Sequence, residues 1–199
     1  MNYKWVYTIM ACCLPMLVFA QPTTLKDALA QKDTTAALKL IQMGQNPNQL
    51  DGEASLLSRY CRYSVADPMA MFLLRHGAKP DTLVSPAGRT ALHVAAAYYA
   101  CEELCDALLK AGANINARTK DGASPLMLAA QSAKLRLVNF LLENGANPKL
   151  KDNKGQTAYE YALRADPMTD LPEARKNLEA QCGWNKQATV EKLKDITRQ

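Results

Sequence analysis

Two series of glycines recur through this chain at nearly one spacing, and no other feature narrows its possible folds so far. Gly44, Gly77, Gly112 and Gly145 stand 33, 35 and 33 residues apart, and Gly52, Gly88, Gly122 and Gly155 stand 36, 34 and 33 apart. A period of roughly 20–50 residues marks a repeat architecture, in which one supersecondary unit stacks on the next. The first series follows leucine-rich stretches, "KLIQMG", "FLLRHG", "ALLKAG" and "FLLENG". Glycine in that position predicts a helix end, where the residue past the cap takes a left-handed conformation. Each unit therefore reads as helix, short loop, helix, glycine, extended turn. One such helix pair cannot bury its own apolar face, so the units must stack. The spacing places Leu73, Leu74, Leu108, Leu109, Leu141 and Leu142 between neighbours, and Ala95, Ala96, Ala129 and Ala130 where helices approach closely.

The chain has 199 residues, 48% of them hydrophobic and only 7% aromatic, which suits a helical fold packed with small apolar side chains. Its net charge of +5 is mild. With no Lys/Arg run or basic stripe, the sequence argues against a nucleic-acid partner.

The N-terminus has the pattern of a secretory signal peptide. Lys4 precedes the uncharged run "WVYTIMACCLPMLVFA", 16 residues long, and Val18 and Ala20 flank Phe19 as small-x-small. Cleavage is expected after Ala20, leaving residues 1–20 as signal and the mature protein in the periplasm or secreted. The run is short for a membrane anchor, which needs about 20 residues, and Pro15 interrupts it. "IMAC" offers lipidation at Cys12 as an alternative, against which the short apolar stretch before it argues. No other segment is apolar enough to span a bilayer. In an oxidising compartment the remaining Cys61, Cys101, Cys105 and Cys182 allow three complete pairings.

The unit "GRTALHVAAAYYACEELCDALLKAGANINA", followed by "DGASPLMLAAQSAKLRLVNFLLENGANPKL", resembles the ankyrin repeat family. The family's pattern is a T-P-L-H-x-A-A first helix, a second helix ending in L-L, then G-A-x-x-N. The resemblance covers roughly residues 24–182. It implies an all-α solenoid of about five helix-turn-helix repeats with polar terminal caps. Residues 21–50 form an N-terminal capping repeat, 51–150 three central repeats, and 151–199 a last repeat with an irregular helical C-terminal cap. Four departures stand out. Arg59 and Tyr60 replace small alanines, Met127 replaces the family histidine, an extra residue falls near Tyr98–Ala100, and "ADPMTDLPEA" replaces a tight loop.

Chemistry is sparse. His93 stands at the family's structural histidine and is expected to brace a loop, while His76 suits a helix C-terminus. Cys101 and Cys105 lack the further ligands that zinc needs, and no C-x-x-C is present. The glycines end helices and form no phosphate loop or dinucleotide fingerprint, and there is no G-x-S-x-G. No catalytic residue, metal or cofactor is expected. By the repeat frame, Cys61 and Cys101 lie at like ends of neighbouring first helices, so the resemblance implies a Cys61–Cys101 disulfide, with Cys61–Cys105 as the alternative.

What remains is surface. In the ankyrin family, partners bind the turn tips and the exposed side of the first helices. Mapped onto this chain, that surface holds Tyr60, Arg62, Tyr63, Arg89, Tyr98, Tyr99, Lys120, Asp121, Gln131, Asn153 and Lys154. Tyr and Arg are enriched at interface hot spots, and the later tips carry a basic excess that an acidic patch on a protein partner would complement. The chain is expected to be a monomer when free. The resemblance extends to two groups of exported bacterial ankyrin proteins: immunity proteins that inhibit a secreted toxin, and accessories to periplasmic enzymes such as those of oxidant defence. A thiol redox protein and an envelope-lipid binder are rival readings from other classes.

Overall fold

The computed structural model describes residues 22–52, 54–62, 67–82, 87–98, 102–164 and 186–198. Ten helices lie among them: α1 (Leu25–Ala30), α2 (Thr34–Gln42), α3 (Leu56–Tyr60), α4 (Pro68–Arg75), α5 (Ala91–Ala97), α6 (Glu102–Lys110), α7 (Pro125–Gln131), α8 (Leu135–Glu143), α9 (Ala158–Leu163) and α10 (Lys186–Arg198). Leu50–Asp51 and Ala54–Ser55 form a minimal antiparallel pair, β1 and β2, with Leu50 opposite Ser55. The chain is an all-α repeat solenoid. None of the described helices is long and apolar enough to cross a membrane.

Short polar side chains start the helices. Asp33 accepts from Ala36 N at 2.9 Å, and Asp67 accepts from Met69 N at 2.8 Å ahead of Pro68 in the first turn. At the far end of α6, Gly112 has φ +93°, and Ala113 N returns to Leu108 O at 3.0 Å, the left-handed ending that glycine adopts without cost.

The first helices α3, α5, α7 and α9 stack in one layer, and the second helices α4, α6 and α8 stack in another. α10 packs on α9 and α8, with Leu193 fully buried, and so closes the second layer. Leu73, Leu108 and Leu141 are fully buried, whereas Leu74, Leu109 and Leu142 are half-buried at the edge of the core. Ala95, Ala96, Ala129 and Ala130 are fully buried, and their small side chains allow α5 and α7 to approach closely.

Hydrogen bonds with the repeat period stitch the units. Asn48 Nδ2 donates to Gly77 O at 3.3 Å while its Oδ1 accepts from Lys79 N at 2.6 Å. Asn116 repeats the pair with Gly145 O at 3.3 Å and Asn147 N at 2.8 Å. This is the physical content of the asparagine four residues after Gly44 and Gly112, a position that Asp81 and Lys149 take in the other two repeats: one carboxamide satisfies a carbonyl and an amide that the next helix end leaves open.

At α5, α7 and α9 the position three residues after the cap is filled in three different ways. His93 Nδ1 accepts from Thr90 N at 3.1 Å, which puts the ring proton on Nε2, 3.1 Å from Ala123 O in the next repeat. Burial is the main force holding its pKa below the ordinary value. Met127 keeps only the acceptor half of that role, its sulfur taking Ser124 N at 3.3 Å. Glu160 accepts from Thr157 N at 2.7 Å and from the Thr157 hydroxyl.

Arg59 and Tyr60 do not wedge the layers apart. Arg59 turns outward onto Asp51, at 2.7 Å, and Lys26 meets the same carboxylate at 2.6 Å. Tyr60 lies half-buried against the core. At the lengthened junction α5 ends at Ala97, and the next repeat caps it: Ser132 Oγ donates to Ala97 O at 3.0 Å and Lys134 Nζ to Ala96 O at 3.1 Å.

Candidate functional site

The tip turns that precede α7 and α9 overhang the first-helix layer and enclose a cleft of about 320 Å3. One turn supplies Asp121 and the other Asp152, Asn153, Lys154 and Gln156, while the ends of α7 and α9 supply Gln131, Tyr161 and Arg164. Gln131 and Arg164 occupy the same register in successive repeats, seven residues after Ser124 and Thr157. The stack therefore sets them side by side.

The floor of the cleft is internally satisfied. Asp152 Oδ1 accepts from Lys154 N at 2.9 Å and Gln156 N at 2.8 Å, and Oδ2 accepts from Tyr161 Oη at 2.9 Å. Burial by itself would raise this carboxyl. Its hydrogen bonds to Gln156, Tyr161 and Lys154 outweigh that and hold it below the usual carboxylate range. Tyr161 is pushed up to about 12, first by burial and then by its bond to Asp152, so it stays a phenol. Arg164 Nη1 donates to Gln156 Oε1 at 2.8 Å.

The two tips are latched together. Asn153 N donates to Asp121 O at 2.9 Å, Asn153 Nδ2 to Lys120 O at 2.8 Å, and Arg118 Nη2 to Lys151 O at 2.5 Å. Lys120 N in turn donates to Ala87 O at 2.9 Å. Asn153 and the Lys120 backbone thus hold the tips in register, a role the sequence did not assign them.

The residues named from the sequence separate into two groups. Asp121, Gln131, Asn153 and Lys154 share the cleft. Arg62 and Tyr98 meet at a second place, the edge between α3 and α5, where the guanidinium lies 4.8 Å from the ring centroid. Tyr60 packs inward, and burial is the main cause raising its phenol pKa. Arg89 is half-buried in the tip turn before α5. Tyr63 and Tyr99 lie outside the described residues, as do Cys101, Cys182 and residues 1–20. Cys61 and Cys105 are buried as thiols, so the bridges expected from Cys61 are not formed in this structure. Burial raises the Cys61 thiol far above its ordinary value, which makes it a packing group rather than a nucleophile.

Sequence reasoning missed Asp152, Tyr161 and Arg164. The repeat frame carried the signal. Asp152 stands 33 residues after Thr119, whose hydroxyl accepts from Ala123 N at 3.1 Å just as Asp152 accepts from Gln156 N. Tyr161 stands where Val94 and Leu128 stand in earlier repeats, so a polar group there was a departure worth marking.

No group of three or more His, Cys, Asp or Glu side chains able to hold a metal ion occurs among the described residues. Stacked helix pairs with latched, projecting turns define a repeat solenoid that presents an extended surface. The family profile described as "Ankyrin repeat" matches residues 87–120, and that of "Ankyrin repeats (many copies)" matches residues 108–162. Residues 87–162 thus carry ankyrin repeats, which are generally protein–protein interaction modules rather than catalytic units.

Relatives share this repeat. The chain is 35% identical over 100 residues to the E3 ubiquitin-protein ligase KEG of Arabidopsis thaliana, covering 50% of this chain and 6% of that one. It is 48% identical over 54 residues to transient receptor potential cation channel subfamily A member 1 of Homo sapiens, covering 27% and 5%. It is 37% identical over 102 residues to an ankyrin repeat-containing protein of Treponema pallidum, covering 51% and 34%. The chain thus spans about a third or less of the length of each of these relatives.

Proposed function

We propose that the chain is an exported binding protein that captures another protein on the face formed by its tip turns and first helices, and that it acts as an immunity protein inhibiting a secreted toxin. One observation carries the choice of face: four residues picked as partner contacts from the repeat frame line a single cleft there. The tips around it carry Arg118, Lys120, Lys151 and Lys154, which suit a partner with an acidic docking patch. The signal-like run ending at Ala20 supports export to the periplasm.

The test immobilises the purified chain, exposes it to envelope and culture-fluid proteins of its source cell, and identifies what is retained. The expected capture is a protein that arrests growth when exported alone and not when co-exported with this chain. Capture of an enzyme whose activity rises on binding would replace the immunity role with an accessory one. Finding the chain with residues 1–20 intact in the cytoplasm would remove export from the reading.

A further inference from the structure

The charges of this solenoid are balanced differently along its length. At the N-terminal tip the Asp51 carboxylate is held by both Lys26 and Arg59, at 2.6 and 2.7 Å. At the cleft the situation is reversed. Lys154 and Arg164 line it, and neither has a carboxylate within ion-pair reach among the described residues. The buried Asp152 carboxylate beside them spends its oxygens on two backbone N–H groups and the Tyr161 hydroxyl, so it acts on Lys154 through its field alone and makes no direct ion pair with either cation. Gln156 gives its Oε1 to Arg164, which leaves its amide N–H groups as donors.

We infer that the cleft between the last two tips receives a single acidic side chain, Asp or Glu, on a loop of the partner protein, bound by Lys154 and Arg164. This rests on the proposed binding face and names the chemistry it reads. Arg164 is half of a fork. With Nη1 engaged on Gln156, its remaining N–H groups offer a carboxylate a charge-assisted contact on a preoriented guanidinium. Lys154 adds a mobile charge on the tip itself. Asp121, on the facing turn, has no ion-pair partner among the described residues and repels a second carboxylate. It instead accepts from a hydroxyl or amide next to the acid. At about 320 Å3 the cleft is at the small end of ligand pockets, roughly 300–1,000 Å3, which admits a loop tip and not a helix.

The test titrates the isotope-labelled chain with a capped pentapeptide carrying one central glutamate between serines, its glutamine counterpart, and free succinate. Side-chain amide signals of Gln131 and Gln156 and the Arg164 Nε–H report on the cleft. The glutamate peptide should move these signals, with the glutamine peptide about tenfold weaker, the factor that about 1.4 kcal/mol supplies. Lys154→Gln and Arg164→Lys should each weaken the glutamate peptide and leave the glutamine peptide unchanged, with amide spectra elsewhere unmoved. Equal binding of the two peptides, undiminished binding by the variants, or no movement of the cleft signals would each overturn the inference. Succinate binding as tightly as the peptide would reassign the cleft to a free small acid. The same variants then go through the capture assay. A partner retained equally by wild type and variants overturns the acidic-loop reading and keeps the binding face, whereas wild type that captures nothing overturns the face itself.

Discussion

Replacing Gly122 with alanine tests how the tips are held. Gly122 sits at φ +79°, and a Cβ there would lie 2.6 Å from Asn153 Oδ1, 2.7 Å from Arg118 Nη2 and 3.0 Å from Asn153 N. Gly155, one repeat on, has nearly the same backbone, φ +75°, with nothing within 4 Å of such a Cβ. Both variants bear the left-handed strain of an L-residue, roughly 1–2 kcal/mol. Gly122→Ala must in addition displace the Asn153 side chain and the Arg118 guanidinium, which breaks the bonds to Lys120 O and Lys151 O. Each such bond contributes about 0.5–1.5 kcal/mol. The backbone amide of Asn153 cannot swing aside as those side chains can, so the tip itself must shift. The expected loss is thus about 1–2 kcal/mol for Gly155→Ala and about 2–5 kcal/mol for Gly122→Ala. Urea unfolding followed by circular dichroism gives both values, with hydrogen exchange at Asn153 N reporting whether the latch opens. Equal destabilisation by the two variants, within about 0.5 kcal/mol, would refute the latch between the tips.

Other outcomes follow from individual residues. His93 stays neutral in the fold because burial lowers its pKa, so above about pH 6.5 folded and unfolded chains carry the same charge there. As pH falls below that, the unfolded chain takes up the proton first, and stability drops by at most about 1.4 kcal/mol per pH unit until the folded pKa is reached. His93→Gln should flatten the dependence of the urea midpoint on pH between 7 and 5, and an unchanged slope would assign it to another group. Asn139 Oδ1 is buried without a hydrogen-bond partner among the described residues, so Asn139→Leu should be neutral or raise stability by about 1 kcal/mol in the same denaturation assay. Cys61 is fully buried with a raised thiol pKa, so iodoacetamide should leave it unmodified in the folded chain at pH 8 and alkylate it in urea, as read by peptide mass spectrometry. Tyr98→Ala removes the ring beneath Arg62 together with its packing against the core, so it should cost more than the roughly 0.5–1 kcal/mol of the cation–π contact alone in the urea assay, a loss that Tyr98→Phe should not show.

Some of this molecule is written locally. The glycine period, the leucine pairs and the polar helix starts determine hairpins and their stacking, because each depends on backbone conformation and periodicity within about 33 residues. The bracing role of His93 is legible for the same reason, since its partner Thr90 lies three residues away. Asn48 and Asn116 could be placed in the repeat frame from the sequence, but not their two-sided bonds to the next repeat.

The cleft belongs to the tertiary structure. Asp152 and Tyr161 are nine residues apart and read as unrelated surface groups until the turn before α9 brings them to 2.9 Å. Arg62 and Tyr98, 36 residues apart, became one contact, while Tyr60, chosen for the same surface, lies half-buried against the core. Side-chain type gave the chemistry each residue could offer. Which of them face one space is set by how one repeat is rotated and shifted against the next, a relation between elements that no single stretch of sequence encodes.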